Sequence, residues 1–187
     1  MNLTINNNFF VITGGPGVGK TTLLNELKNK NLVVVPEIAR ELIIEQKHNN
    51  GEALPWKNTE LYKQLLFDRY IKSYKEVEKE HAGSVPVFFD RGFLDTLCYA
   101  KLINSKINGH MHGYGKKLRY NKNVFILPPW KEIYITDGER KQNWEEALLT
   151  FKKMAETYKE YDYTINEVPK KSPSERANYI LKCINTQ

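Results

Sequence analysis

The stretch Gly14-Gly15-Pro16-Gly17-Val18-Gly19-Lys20-Thr21 fits the spacing G-x-x-x-x-G-K-[ST] and limits the fold more than any other part of the chain. Before it, Phe9-Phe10-Val11-Ile12 is a short apolar run of β type; after it, Leu23, Leu24 and Leu27 recur at helical spacing. Strand, glycine loop and helix in that order build a nest for phosphate oxygens. Glycines let successive backbone N–H groups turn inward. The first helical turn adds unpaired N–H groups at the positive end of its dipole. Gly14, Gly15, Pro16, Gly17, Val18 and Gly19 are therefore expected to cradle the phosphates of ATP, with Thr22 closing the cradle. Lys20 is expected to reach the β- and γ-phosphates, and the Thr21 hydroxyl to ligate Mg²⁺.

The length of 187 residues suits one domain over the whole chain, large enough for a core covered on both faces. No apolar run approaches the length that crosses a bilayer, and the N-terminus lacks a basic stretch followed by a long apolar segment. Cys98 and Cys183 have neither metal nor redox spacing and read as buried thiols, which suits a reducing cytoplasm. The net charge of +6 invites a nucleic-acid reading. Against it, Lys72, Lys75 and Lys79 alternate with Glu76, Glu78 and Glu80, the pattern of a solvated helix face. His110 and His112 have no Cys, Asp or Glu close by in sequence to complete a metal site.

Four more strands are expected, at Leu32–Val35, Val85–Phe89, Asn123–Leu127 and Tyr163–Val168. The β-branched run Leu32–Val35 has the length of a buried strand. Helices are expected over 37–46, 58–80, 93–104 and 143–161, and from Pro173 onward. The inward stripe of the third helix is Tyr62, Leu65, Leu66, Tyr70, Tyr74 and Val77; that of 143–161 is Trp144, Ala147, Leu148, Phe151, Ala155 and Tyr158. Residues 105–122, with Gly109, Gly113 and Gly115 among His, Tyr and Lys, read as the least regular segment. Strands alternating with helices imply right-handed crossovers and a mainly parallel five-stranded sheet between two helical layers, an α/β/α sandwich.

In such a sheet ligands bind beyond the carboxyl ends of the strands. The second strand delivers Glu37 and, one turn later, Arg40; the third delivers Asp90 and Arg91; the fourth leads to a loop holding Asp137 and Arg140. Asp90 follows apolar strand residues, the arrangement that supports Mg²⁺. Glu37 can face the γ-phosphate from the acceptor side and take a proton from an attacking hydroxyl; Asp90 is the rival base. The structural alternative for Glu37 is an i,i+3 pair with Arg40. Arg140 lies where a lid closes over transferring phosphate. Trp56 either lines a substrate pocket or pins its loop to the core.

With these residues in view, the chain resembles a known group. The glycine loop, Pro36-Glu37-Ile38-Ala39-Arg40-Glu41, Phe88-Phe89-Asp90 with Phe93 and Thr96, and Asp137-Gly138-Glu139-Arg140 resemble the short AAA-labelled ATPases of the P-loop NTPases. They are also similar to the nicotinamide-riboside kinase domain of a bifunctional NAD-salvage protein. Asp90-Arg91 is similar, more distantly, to deoxynucleoside kinases. The resemblance spans nearly the whole chain. It implies a nucleoside-kinase-like fold, ATP·Mg²⁺ as phosphoryl donor, and catalytic roles for Lys20, Glu37, Asp90 and Arg140. Arg40 and Arg91 would then meet the acceptor, and Val168-Pro169 would lie near the adenine. The chain departs from the riboside-kinase pattern at Arg91-Gly92 and in residues 105–120.

The leading expectation is a small-molecule kinase whose acceptor is a nucleoside-like hydroxyl compound. The alternatives are a nucleotide-dependent ATPase or switch acting through a protein partner, and a polynucleotide 5′-kinase. A GTPase is disfavoured because Asn121-Lys122 is followed by Asn123-Val124 rather than by x-Asp. A large AAA+ motor is disfavoured by length and by Arg, not Glu, at position 91.

Overall fold

The computed structural model describes residues 3–81, 85–133 and 143–185. In chain order its elements are β1 (Thr4–Ile5), β2 (Phe9–Gly14), α1 (Lys20–Asn29), β3 (Val33–Val35), α2 (Ile38–His48), α3 (Thr59–Glu80), β4 (Val87–Asp90), α4 (Phe93–Leu102), α5 (Gly109–Lys117), β5 (Leu118–Arg119), β6 (Asn123–Leu127), a 3₁₀ turn (Lys131–Ile133), α6 (Trp144–Glu160), β7 (Thr164–Glu167) and α7 (Pro173–Asn185).

Strand β2, which feeds the glycine loop, is the middle of a five-stranded sheet in the order β3-β4-β2-β6-β7. Every pairing in it is parallel, with Ile12 opposite Asp90 and Gly14 opposite Leu127. Successive strand residues point to opposite faces. Phe9 and Val11 pack with Phe67, Tyr70 and Tyr74 of α3 and with Phe93 and Leu97 of α4. Phe10 and Ile12 pack with Leu23 and Leu27 of α1 and with Ala177 and Ile180 of α7. Both faces are covered, so both sets must be apolar, and the strand reads as a continuous apolar run. The expected three-layer α/β/α architecture is the one observed. A separate two-stranded ribbon joins β1 to β5.

Several local expectations are corrected. β3 is half-buried rather than buried, because it is an edge strand with β4 on one side alone. The buried face of α6 is Ala147, Thr150, Met154, Thr157 and Tyr158, leaving Leu148 and Leu149 exposed. In α3 the stripe also takes in Lys63, Phe67 and Ile71. Residues 109–117, expected to be irregular, form α5. Asn108 caps this helix by accepting from the Met111 amide at 2.9 Å. Met111 and Gly115 are buried beneath it, so tertiary packing overrides the poor helix propensity of its glycines. Trp56 does not pin its loop to the core. It is 63% exposed, with the Lys47 ammonium 5.2 Å from the ring centre.

Candidate active site

The glycine loop turns into α1 through Gly17 and Gly19, both left-handed at φ 76° and 75°. Helix α1 begins at Lys20, so the amides of the loop and first turn point at one space. That space is a cavity of ≈ 380 Å³ lined by residues 15–22 together with Glu37, Arg91 and Ile133. Gly14 is required for a different reason: a Cβ there would lie 2.9 Å from the Leu127 carbonyl oxygen on β6.

Parallel pairing brings the ends of β2, β3 and β4 to the same edge, and with them the side chains expected from sequence. The Lys20 ammonium donates to the Asp90 carboxylate and lies 4.0 Å from Glu37 Oε2. Arg91 Nε donates to Glu37 Oε1 at 2.7 Å, and its Nη1 lies 3.3 Å from Asp95 Oδ1. Glu37 therefore pairs with Arg91, not with Arg40. Arg40 is exposed, does not line the cavity and acts on Glu37 as a nearby charge. Arg140 lies outside the described residues.

The cluster is electrostatically tense. Burial lowers the Lys20 pKa and the Arg91 charge lowers it further, against the pull of Glu37 and Asp90. Burial raises Asp90, and Lys20 offsets that incompletely. Burial also works to raise Glu37, but Arg91 and Lys20 together hold its carboxyl below the ordinary value. Burial works against the Arg91 charge too, and Glu37 and Asp95 more than offset it, so this guanidinium stays protonated.

Two residues of this region escape a reading by motif. Asp95, on the first turn of α4, accepts from Thr13 Oγ1 on Oδ1. Its Oδ2 accepts from the Gly92 amide at 2.9 Å and from the Tyr158 hydroxyl at 2.6 Å. It anchors Arg91 from behind, so the chain Asp95–Arg91–Glu37 runs from the core to the cavity. The local signal was the position of Asp95 three residues after the helix-capping Gly92. Arg176 on α7 is the second. It reaches back to the glycine loop, and nothing near it in sequence marks it. Val168 and Pro169 line a narrow crevice with Val18, Trp130 and Arg176, next to the loop.

A family model described as an AAA domain matches residues 9–176, from the first residue of β2 into α7. The chain belongs to that AAA-domain family. No curated relative matches the sequence. Among solved structures, deoxyadenosine kinase from M. mycoides with bound dATP has a TM-score of 0.61 at 18% identity, covering 95% of this chain and 99% of that one. Thymidylate kinase from Candida albicans gives 0.64 at 16% identity, covering 95% and 91%. NadR protein in complex with NR gives 0.59 at 19%, covering 95% of this chain and 50% of that one. At these identities the likeness is one of fold. The AAA-domain chain thus shares its α/β/α architecture with these three solved structures. The AAA-labelled family expected from the motifs is borne out, and the narrower likeness to riboside and deoxynucleoside kinases extends to fold alone. Among the described residues, no helix of this AAA-domain chain is long and apolar enough to cross a membrane.

The donors of the AAA-domain site suit a hard cation. Thr21 is exposed at the start of α1, and Asp90, at the end of β4, is paired in register with Ile12 of β2 and holds its carboxylate on Lys20. One hydroxyl and one carboxylate, with phosphate oxygens and water completing the shell, is a fitting set for Mg²⁺.

Proposed function

We propose that the protein is an ATP-dependent small-molecule kinase that moves the γ-phosphoryl group to a hydroxyl of a nucleoside-like acceptor. The observation that carries this reading is the convergence of Lys20, Glu37 and Arg91 on one cavity floored by the glycine loop, with Asp90 joined to it through Lys20. The loop amides bind the phosphates and fix the donor. Lys20 leaves Asp90 to follow the transferring charge, and Asp90 is then free to support Mg²⁺ with Thr21. When bound there, Mg²⁺ neutralises charge on the β- and γ-phosphates. Glu37 faces the cavity in the unprotonated form that can accept a proton from the acceptor hydroxyl, and Asp90, whose carboxyl burial raises, is the rival base. Arg91 orients Glu37 and presents its remaining edge to the acceptor. Arg140 belongs to the same proposal as the lid cation.

A hydrolase of the large motor type needs a second carboxylate beside the strand-end aspartate to activate water. Here that place is taken by Arg91, a guanidinium that has no lone pair with which to take a proton from water. The test is transfer of label from γ-labelled ATP, screened over nucleosides, nucleotides, oligonucleotide 5′ ends and other hydroxyl compounds. A labelled small acceptor, with ATP consumption rising on its addition, supports the kinase. Free phosphate alone, whatever the acceptor, would move the assignment to an ATPase or switch.

A further inference from the structure

Arg176 is 3% exposed, on the first turns of α7, and no carboxylate pairs with it among the described residues. A buried guanidinium without a counter-charge is costly unless its N–H groups find acceptors. Its acceptors are the glycine loop itself. Nη1 donates to the Val18 carbonyl at 3.3 Å and to the Gly19 carbonyl at 3.2 Å. Nη2 donates to Thr22 Oγ1 at 3.2 Å. The Thr22 hydroxyl passes the interaction on, donating to the Gly19 carbonyl at 2.8 Å. The guanidinium carbon lies over the Trp130 ring, 5.8 Å from its centre. Nε has no partner among the described residues. Gly19 is part of the same arrangement: a Cβ there would meet Arg176 Nη1 at 3.0 Å. That glycine thus serves both a left-handed turn and the approach of this side chain.

The geometry points to Arg176 as a positioning residue that clamps the glycine loop from behind. A nest binds phosphate because its amides face inward, and in a peptide plane the carbonyl then faces away. Those outward carbonyls need donors if the loop is to hold this shape before a ligand arrives. Arg176 supplies the donor at Val18 and joins the Leu23 amide and the Thr22 hydroxyl on the Gly19 carbonyl, at the two peptides that lead into α1. Its charge sits behind the nest, against the carbonyl ends of these peptides, and as a cation it adds to the positive potential that the phosphates meet. The clamp rests on the nucleotide-binding reading above only in its consequence for affinity; its effect on loop shape stands independently.

The experiment uses the full chain, with Arg176→Met to remove the donors and Arg176→Lys to keep the charge but not the fork. Two quantities are read: calorimetric affinity for inorganic tripolyphosphate, and amide hydrogen exchange across residues 14–22 without ligand. Arg176→Met is expected to weaken tripolyphosphate about tenfold, the equivalent of one lost charged hydrogen bond. It is also expected to speed exchange in 14–22 while the amides of β2 and β6 hold their rates. Arg176→Lys falls between the two. Unchanged affinity and unchanged exchange in the loop would overturn the clamp. So would exchange that rises evenly through the sheet, since that is the mark of a residue that merely supports the fold. If Arg176→Met does not fold, the Lys variant carries the same two readouts. Wild-type protein that ignores tripolyphosphate would count against nucleotide binding, and the exchange data would still decide the clamp.

Discussion

Arg91 Nε meets Glu37 Oε1 at 2.7 Å, tying the end of β4 to the residue that caps α2 across 54 positions of sequence. The pair gives Glu37 a pH signature. Its carboxyl is held below the ordinary value of 4.5, with burial opposed and overcome by Arg91 and Lys20. A carboxyl lowered on folding stabilises the native state fully above its unfolded value, and that contribution is lost as pH falls through the folded one. Glu37→Gln should therefore cost about 1.5–3 kcal/mol near neutral pH, roughly 3–12 °C in melting midpoint for a chain of this size. The gap between wild type and variant should close as pH drops below 4.5. A gap that stays constant from neutral to acid would show that the pair acts through packing rather than charge.

Lys20 carries a second, opposite sign. It is buried beside Arg91, and its pKa is lowered, so at neutral pH its charge costs native stability even with Asp90 attached. Lys20→Met should lower phosphoryl transfer on the order of 100-fold or more while the circular-dichroism spectrum stays native. Unchanged turnover would remove Lys20, and with it the scheme for the donor side.

The fold was legible where its causes are local. The glycine loop announces its own backbone, and strands covered on both faces leave apolar runs such as Phe9–Ile12 that need no knowledge of their partners. Glu37 and Asp90 were readable because parallel strands put their carboxyl ends at one edge. Asp95 and Arg176 were not, because their partners lie far off: Thr13 is 82 positions from Asp95, and Gly19 is 157 from Arg176. The face of α6 was misplaced because apolar Leu148 and Leu149 compete in the sequence pattern with Thr150 and Thr157, which are the buried pair.

Helix α5 was missed for a reason that is itself testable. Its glycines lower helix propensity, but one of them is sterically required. A Cβ at Gly115 would lie 2.4 Å from Tyr161 Cε1, whereas at Gly113 it would meet nothing within 4 Å. Gly115→Ala should destabilise by about 1–3 kcal/mol through overpacking. Gly113→Ala should stabilise by about 0.5–1 kcal/mol, by cutting the freedom of the unfolded chain. Urea midpoints for the two variants should move in opposite directions; movement in the same direction would contradict the packing of α5 against Tyr161.

The last prediction concerns backbone strain at Arg91. Its φ is 71°, a left-handed conformation that is unfavourable for a residue with a side chain. The amide of Arg91 bonds to the Ile12 carbonyl at 3.0 Å, which holds the chain in this turn just as β4 ends. The next residue is held as glycine, because a Cβ on Gly92 would crowd Tyr120 and Val11. The strain is thus tolerated where the guanidinium must reach Glu37 and Asp95 together. Arg91→Ala keeps the strain and loses both partners, and should cost about 3–5 kcal/mol. Arg91→Gly loses the same partners but relaxes the turn, and should be about 1 kcal/mol more stable than the alanine variant. Acceptor-dependent transfer should fall equally in both, because neither can orient Glu37. If the alanine variant unfolds no earlier in urea than the glycine variant, the left-handed turn is not a cost. If either retains full transfer, the acceptor side of the site is built from other groups than the Glu37–Arg91 pair.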